Sequence, residues 1–377
     1  MSVMFGTYGL PWARKTGSNL LNMLYAEVNL ETLRDNLRRL RELRSGTALL
    51  FVVKGDAYGH GLGGVVEATA DLVDWFGVET LAEARTIRAL GIDKPILIMG
   101  LLSPQDLPVA IREGYHLVVA DWAYLREAAR AAARTSAFVH ILVDGGPGPL
   151  GFRPEEVEGL VRELSFLSNI EPVGICSYLP LAHSDRPEEI ALTAAQIARF
   201  RELILRLERR GIRLPFVHIA NSAGFLSFPE TSAEPFNLVR IGVAAYGYVD
   251  RFWREWGLRP VARVWSEVIA LRDHPSPETV RLALLGAGYR HGLSDRLRWA
   301  WVNGAQAPVW GRVGMDGTIL DVSGVPGVKR GTEVLLFDGT GENFRGWMLP
   351  ALVPLLAHAE RSWTKTSVPK RGVILTR

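Results

Sequence analysis

Leu49-Leu50-Phe51-Val52-Val53-Lys54, followed by Gly55-Asp56-Ala57-Tyr58-Gly59-His60-Gly61, decides how the rest of the sequence is read. An apolar run rich in β-branched and aromatic residues, closed by glycine, predicts a strand buried on both faces, and this one ends on a lysine. Only six lysines occur, at positions 15, 54, 94, 329, 365 and 370, among 43 basic residues. A lysine behind five core-type residues is therefore not a routine solubilising choice. Desolvation makes an amine nucleophilic, the property that suits lysine to Schiff-base chemistry. The plain alternative is a lysine snorkelling out at a strand end.

Working outward, strand-like runs recur at Leu49 to Lys54, Asp74 to Val78, Pro95 to Met99, His116 to Ala120, Phe138 to Asp144, Pro172 to Ser177, Pro215 to Ala220 and Asn237 to Gly242. Amphipathic helical segments separate them, among them Thr80 to Leu90, Asp121 to Arg134, Arg153 to Leu167 and Pro187 to Arg210. Eight such units in one block predict a (β/α)8 TIM-type barrel rather than an open doubly wound sheet. In a barrel the chemistry sits at the C-terminal ends of the strands. Lys54, Asp144, Tyr178, Asn221 with Ser222, and Arg240 with Gly242 all fall at that mouth. Ser222 also reads as a helix N-cap, compatible with holding a phosphate.

After Tyr246-Gly247-Tyr248 the pattern becomes short alternating runs, Val261 to Ala270, Ala307 to Arg312, Thr318 to Val322 and Thr332 to Phe337, with one helical stretch, Leu349 to Arg361. The expected organisation is an N-terminal arm (1–24), a barrel (25–248) and a C-terminal mostly β domain (249–377). A length of 377 residues favours two domains.

Hydrophobic content of 48% with 22% charged residues describes a soluble globular chain. No apolar run is long enough to span a bilayer, and residues 1–22 lack a secretory pattern, so a cytoplasmic protein is expected. Cys176 is the only cysteine, which excludes a disulfide framework and a cysteine metal cage. The net charge of +3 comes from arginines spread along helix faces, so no nucleic-acid partner is expected.

Lys54-Gly55-Asp56-Ala57-Tyr58-Gly59-His60-Gly61 resembles the cofactor-lysine motif of alanine racemases, barrel enzymes that use pyridoxal 5'-phosphate. The resemblance implies that Lys54 carries the cofactor and later acts as one of two bases, while Tyr58 reaches the phosphate. The family usually has alanine where Gly55 stands. His218-Ile219-Ala220-Asn221-Ser222-Ala223 is similar to the segment that brings a serine hydroxyl and backbone amides to the phosphate. Arg240-Ile241-Gly242-Val243 resembles the last barrel strand, whose arginine sits against the pyridine nitrogen, with Gly242 and Val243 at the phosphate and His218 supporting Arg240. An arginine there leaves the ring a weaker electron sink than a carboxylate would. Gly311-Arg312-Val313-Gly314-Met315-Asp316 resembles a strand that the family places in the partner subunit's active site, and Gly288-Tyr289 the start of a motif before it. A head-to-tail homodimer follows from the resemblance.

Departures concern substrate and proton transfer. Pro149 stands where the family has an arginine before Leu-Gly-Phe, and Leu142 replaces the lysine that buttresses it. Tyr178 takes the place of a histidine that stacks on the cofactor ring, and His358 that of a tyrosine near the phosphate. The Tyr-Gly-x-x-Tyr segment that supplies the second base has no counterpart between Ala283 and Gly286. Tyr289, His291, Tyr178 and His358 are candidate substitutes, each read more readily as a packing or hydrogen-bonding residue than as a base, and Asp316 is retained beside Met315.

Two-base racemisation needs a proton donor on each face of a planar intermediate. The first reading is thus a pyridoxal-phosphate-dependent amino-acid racemase or epimerase acting through a Lys54 Schiff base on a substrate other than simple alanine. The alternatives are a same-fold enzyme doing other chemistry at the α-carbon, such as aldol-type cleavage, decarboxylation or carbon-carbon bond formation, and a non-catalytic cofactor-binding homologue.

Overall fold

The computed structural model describes residues 24–44, 46–133, 135–146, 150–248, 255–275, 279–337, 356 and 360–364. Two eight-stranded sheets organise them.

The barrel strands are β2 (Ala48–Val52), β3 (Trp75–Val78), β4 (Ile96–Ile98), β5 (His116–Val119), β6 (Ala137–Leu142), β7 (Ile170–Cys176), β8 (Phe216–His218) and β9 (Leu238–Ile241). They pair in parallel in the order β8-β7-β6-β5-β4-β3-β2-β9. Between β8 and β9, Asn237 N donates to Val217 O at 3.0 Å and Arg240 N to Ala220 O at 3.2 Å, so the sheet closes on itself. All eight strands expected from the sequence are present, with ends displaced by a few residues.

Period-2 alternation sorts the strand residues into two layers. Leu50, Val52, Trp75, Leu97, Val118 and Leu238 form one cluster, filling the barrel. Their neighbours Leu49, Phe51, Phe76, Ile96, Leu117 and Val239 belong to the larger cluster shared with the helices. Helix starts follow local chemistry. The Asn29 side chain accepts from Thr32 N to cap α1 (Leu30–Leu43), and Thr80 with Glu83 forms a reciprocal capping box.

The second sheet is built on β10 (Ala262–His274), which pairs antiparallel with β11 (Val280–Leu285) and β15 (Glu333–Phe337). β12 (Trp299–Val302), β13 (Ala305–Pro308) and β14 (Thr318–Asp321) extend it. The sequence placed residues from Tyr25 onward in the barrel, and the structure corrects this. β1 (Leu24–Asn29) pairs antiparallel with β10 and parallel with β16 (Glu360–Thr364). Leu24, Ala26 and Val28 are buried, the one-sided pattern of a strand lying on a sheet. Glu360 and Arg361, expected to end a helix, belong to β16, where strand pairing outweighs helical spacing. Leu356 is helical, and the rest of that expected helix to residue 359 lies outside the described residues.

From Leu24 the described residues thus run from the second sheet through the barrel and back. Asn36, on α1 and 1% exposed, ties the return. Its Nδ2 donates to Ala245 O at 2.8 Å and Arg259 O at 2.7 Å, while its Oδ1 accepts from Arg259 N at 2.9 Å. Replacing it strands three backbone groups. Asn36→Ala is expected to cost about 2–4 kcal/mol, read as a lower urea midpoint followed by tryptophan fluorescence.

Candidate active site

Lys54 opens a five-residue turn, α2 (Lys54–Tyr58), that winds left-handed: Gly55, Asp56, Ala57 and Tyr58 have φ of 64°, 55°, 56° and 54°. Left-handed backbone is costly for residues with a Cβ, so neighbours must hold it. Ala57 N donates to Val53 O at 2.8 Å and Gly59 N to Gly55 O at 2.9 Å. Asp56 Oδ1 accepts from Leu62 N at 2.8 Å, and Asp56 N donates to Glu83 Oε1 at 3.1 Å. His60 Nδ1 lies 2.8 Å from Ala57 O and its Nε2 2.8 Å from Tyr248 Oη, which accepts from Ala262 N at 3.0 Å. A carbonyl can only accept, so His60 carries its proton on Nδ1 and accepts the Tyr248 hydroxyl on Nε2. The loop is thereby anchored to β10.

The turn carries Lys54 out of the strand. Its side chain is 41% exposed and its Nζ pairs with Glu79 Oε2 at 2.9 Å. The expectation of a desolvated lysine is corrected: β2 ends at Val52, and the side chain emerges at the barrel mouth against a carboxylate.

Across the mouth, the Ser222 hydroxyl accepts from Gly242 N at 3.0 Å and Ala244 N at 3.2 Å. A Cβ on Gly242 would stand 2.8 Å from the Tyr58 hydroxyl, so glycine is what lets that phenol in. Burial pushes the Tyr58 phenol up to about 12, with Tyr178 and Glu79 adding to the effect, so at neutral pH it is a donor. Val243 is half-buried behind this pair. Asn221 has a different task from the one expected. Its Oδ1 accepts from Gly224 N and its Nδ2 donates to Leu179 O, both at 2.8 Å, so it builds the turn.

Arg240, on β9, reaches His218 on β8, its Nη1 lying 2.6 Å from His218 Nδ1, and its Nη2 donates to Ser177 O at 2.8 Å. Beyond it, His218 Nε2 lies 2.9 Å from His140 Nδ1, and His140 Nε2 3.1 Å from His116 Nδ1. Arginine cannot accept, so His218 Nδ1 must. Each ring then donates from Nε2 to the next Nδ1, which fixes one neutral tautomer three times over. Burial holds all three below the ordinary histidine value, His116 at about 4. Burial also lowers Arg240, whose environment works against its charge. The structural reason for Gly174 lies here: a Cβ would stand 2.1 Å from His140 Nδ1.

A second group lies on the other sheet. Tyr289 N donates to Gly314 O at 2.9 Å and Arg290 N to Met315 O at 3.1 Å, while Arg290 Nε pairs with Asp316 Oδ1 at 2.7 Å. Tyr289 and Met315 are each 55% exposed. Tyr178 is exposed at the barrel mouth. His358 and Pro149 lie outside the described residues. Sequence reading passed over Glu79, His116 and His140, at a strand end or within strands, where an ionisable residue in an apolar run was the available signal, and Glu83, in the first turn of a helix behind Thr80.

A lysine at a barrel mouth, facing an arginine held by neutral histidines, defines a fold-and-site class. Family models place this chain within that class. The model of the alanine racemase N-terminal domain matches residues 28–250, and that of the C-terminal domain residues 272–348. The chain is 30% identical over 341 residues to an alanine racemase of Clostridium novyi, covering 84% of this chain and 86% of that protein. It is 33% identical over 339 residues to one of Desulfovibrio desulfuricans, covering 84% and 89%. The solved alanine racemase of Streptomyces coelicolor superposes with a TM-score of 0.81 at 27% identity, covering 92% of this chain and 99% of that one. The chain belongs to the alanine racemase family and is an enzyme of its racemase-like type. No helix among the described residues is long and apolar enough to cross a membrane.

Gly55→Ala, entering open space at φ 64°, is expected to cost about 1 kcal/mol from backbone conformation alone, measured by chemical denaturation. The histidine chain sets a pH dependence. The folded values lie below the unfolded one, so the unfolded state binds more protons as pH falls. Stability is full above about 6.5 and is lost as pH drops toward the value of about 4 held by His116. Denaturant midpoints across that window, shallower in His116→Asn than in the parent, check this.

Proposed function

We propose that the chain is a pyridoxal-phosphate-dependent amino-acid racemase acting on a substrate other than simple alanine. The observation that carries the reading is the convergence at one mouth of Lys54, of the Tyr58–Ser222–Gly242 cradle and of Arg240 backed by His218. These donors suit the cofactor: hydroxyls for a phosphate, an amine for an aldehyde, and a guanidinium for a ring nitrogen. Both Nη atoms of Arg240 are engaged by the protein, which leaves Nε–H as the donor toward that nitrogen.

When bound, pyridoxal phosphate supplies a conjugated ring joined to the substrate's amino nitrogen, so that charge left at the α-carbon is spread over it. The rest is done by the chain. Lys54 would hold the group through its amine and, when free, would carry the α-proton on one face. Tyr58 and Ser222 hold the phosphate end. Arg240, itself a poor proton donor, hydrogen-bonds the ring nitrogen without protonating it. Tyr178, exposed at the mouth, would cover the ring.

The opposite face needs a second proton carrier. We assign it to Tyr289, which stands exposed beside Met315 and Asp316 on the second sheet. A head-to-tail homodimer would bring that group to the other copy's mouth. The substrate preference rests on Pro149 and Leu142, which replace the arginine and lysine expected beside a small substrate's carboxylate.

The test is proton NMR of amino acids incubated with cofactor-loaded protein in deuterated water. The α-proton signal is expected to disappear with the parent and persist with Lys54→Ala, with both enantiomers in the product. Exchange with retention of configuration would instead assign one-sided chemistry at the α-carbon, and no exchange over a broad panel would sink racemisation.

A further inference from the structure

The barrel mouth carries one charged group that the proposed chemistry leaves unused. Glu79 follows β3, stands 47% exposed, and its carboxylate is occupied by the Lys54 ammonium at 2.9 Å. A cavity of about 450 Å³ opens over it, bounded by Thr80, Leu101, Ser103, Asp106 and Arg85. Arg85 does not neutralise this wall, because its Nε donates to both Glu113 carboxylate oxygens, at 3.1 and 3.0 Å. The cavity therefore presents carboxylates, a hydroxyl and an apolar wall. An alanine methyl group would leave it unfilled.

The structure already displays what Glu79 binds, an alkylammonium on a four-carbon stem. While the cofactor held the Lys54 nitrogen, as it would when a substrate first enters, that carboxylate would face the cavity without its cation. We infer that Glu79 is a specificity-determining residue that pairs with a cationic side chain on the substrate, so that the enzyme prefers amino acids of the lysine and ornithine class. The inference rests on the racemase reading above.

Two further features agree with it. The cavity offers length as well as charge, which a diamino acid uses and a small one does not. Glu79 is also held in place from its own backbone: Glu79 N donates to Glu83 Oε2 at 2.9 Å, and Glu83 in turn caps the following helix and binds the lysine loop. The backbone that carries Glu79 is thereby tied to the loop that carries Lys54.

The experiment compares L-lysine with L-norleucine, which has the same four-carbon chain without the terminal amine, on cofactor-loaded protein. Affinity is read from the absorbance change of the bound cofactor and turnover from chiral analysis. Lysine is expected to bind and react better than norleucine by roughly two- to fivefold, the range of a partly exposed ion pair. In Glu79→Gln that ratio should fall to near one, and rising salt should erode it in the parent only. Cofactor absorbance that never appears with the parent would overturn the racemase reading and this inference with it. Normal loading, with lysine no better than norleucine or with a ratio unmoved by Glu79→Gln, would overturn the assignment of Glu79 alone and leave it a residue that positions Lys54.

Discussion

A guanidinium turned toward the interior of a barrel must find acceptors that stay uncharged, and much of this site follows from that constraint. Arg240 takes Ser177 O and His218 Nδ1. Had His218 been protonated, it would have lost its acceptor and set a second positive charge beside the first, an interaction of about 4 kcal/mol at 4 Å in partly screened surroundings. Burial prevents this by keeping the ring neutral. Neutrality then has to be hydrogen-bonded, since an unpaired buried N–H costs about 1–3 kcal/mol. His140 and His116 supply the successive acceptors, so one charge orders three rings across β9, β8, β6 and β5.

The opposite side of the mouth is organised by strain. Three residues with side chains, Asp56, Ala57 and Tyr58, sit in the left-handed region, and the loop keeps that shape because Glu83 and Asp56 hold its amides while His60 locks it to Tyr248. Tyr248 in turn takes Ala262 N. The turn that aims Lys54 and Tyr58 is therefore braced on the first residue of β10. With β1 lying on β10 and Asn36 clasping the returning chain, the second sheet supports the barrel site it does not itself form.

The barrel was legible because eight buried strands separated by amphipathic helices leave a periodic trace, and Lys54 because a lysine closing an apolar run is conspicuous. What stayed hidden depends on distant pairing. Nothing near residue 25 announces that its strand lies on residues 262–266 and 360–364. His116 and His140 read as polar interruptions of strands until the barrel closes and brings β5, β6 and, across Gly174 of β7, β8 together. Gly55 looked like a small departure from a motif and proves to be the residue best suited to open a left-handed turn. Lys54 was expected to be desolvated because its neighbours are, yet one residue beyond a strand end is enough to reach solvent and a carboxylate.

The charges at the mouth are divided by side. Arg240 lies deep and positive on β9, and Glu79 lies at the rim after β3 with Lys54 between strands that adjoin both. On the proposed reading, an amino acid whose nitrogen takes the place of Lys54 on the cofactor would bring an α-carboxylate, which Glu79 would repel. The carboxylate would thus be turned away from the β3 side, leaving the side chain the direction into the cavity over Glu79. For a methyl group that orientation brings no attraction to offset the repelled carboxylate. For a side chain ending in an ammonium, the same carboxylate that turned one group away would receive the other, so that under the proposal orientation and selectivity would arise from a single residue.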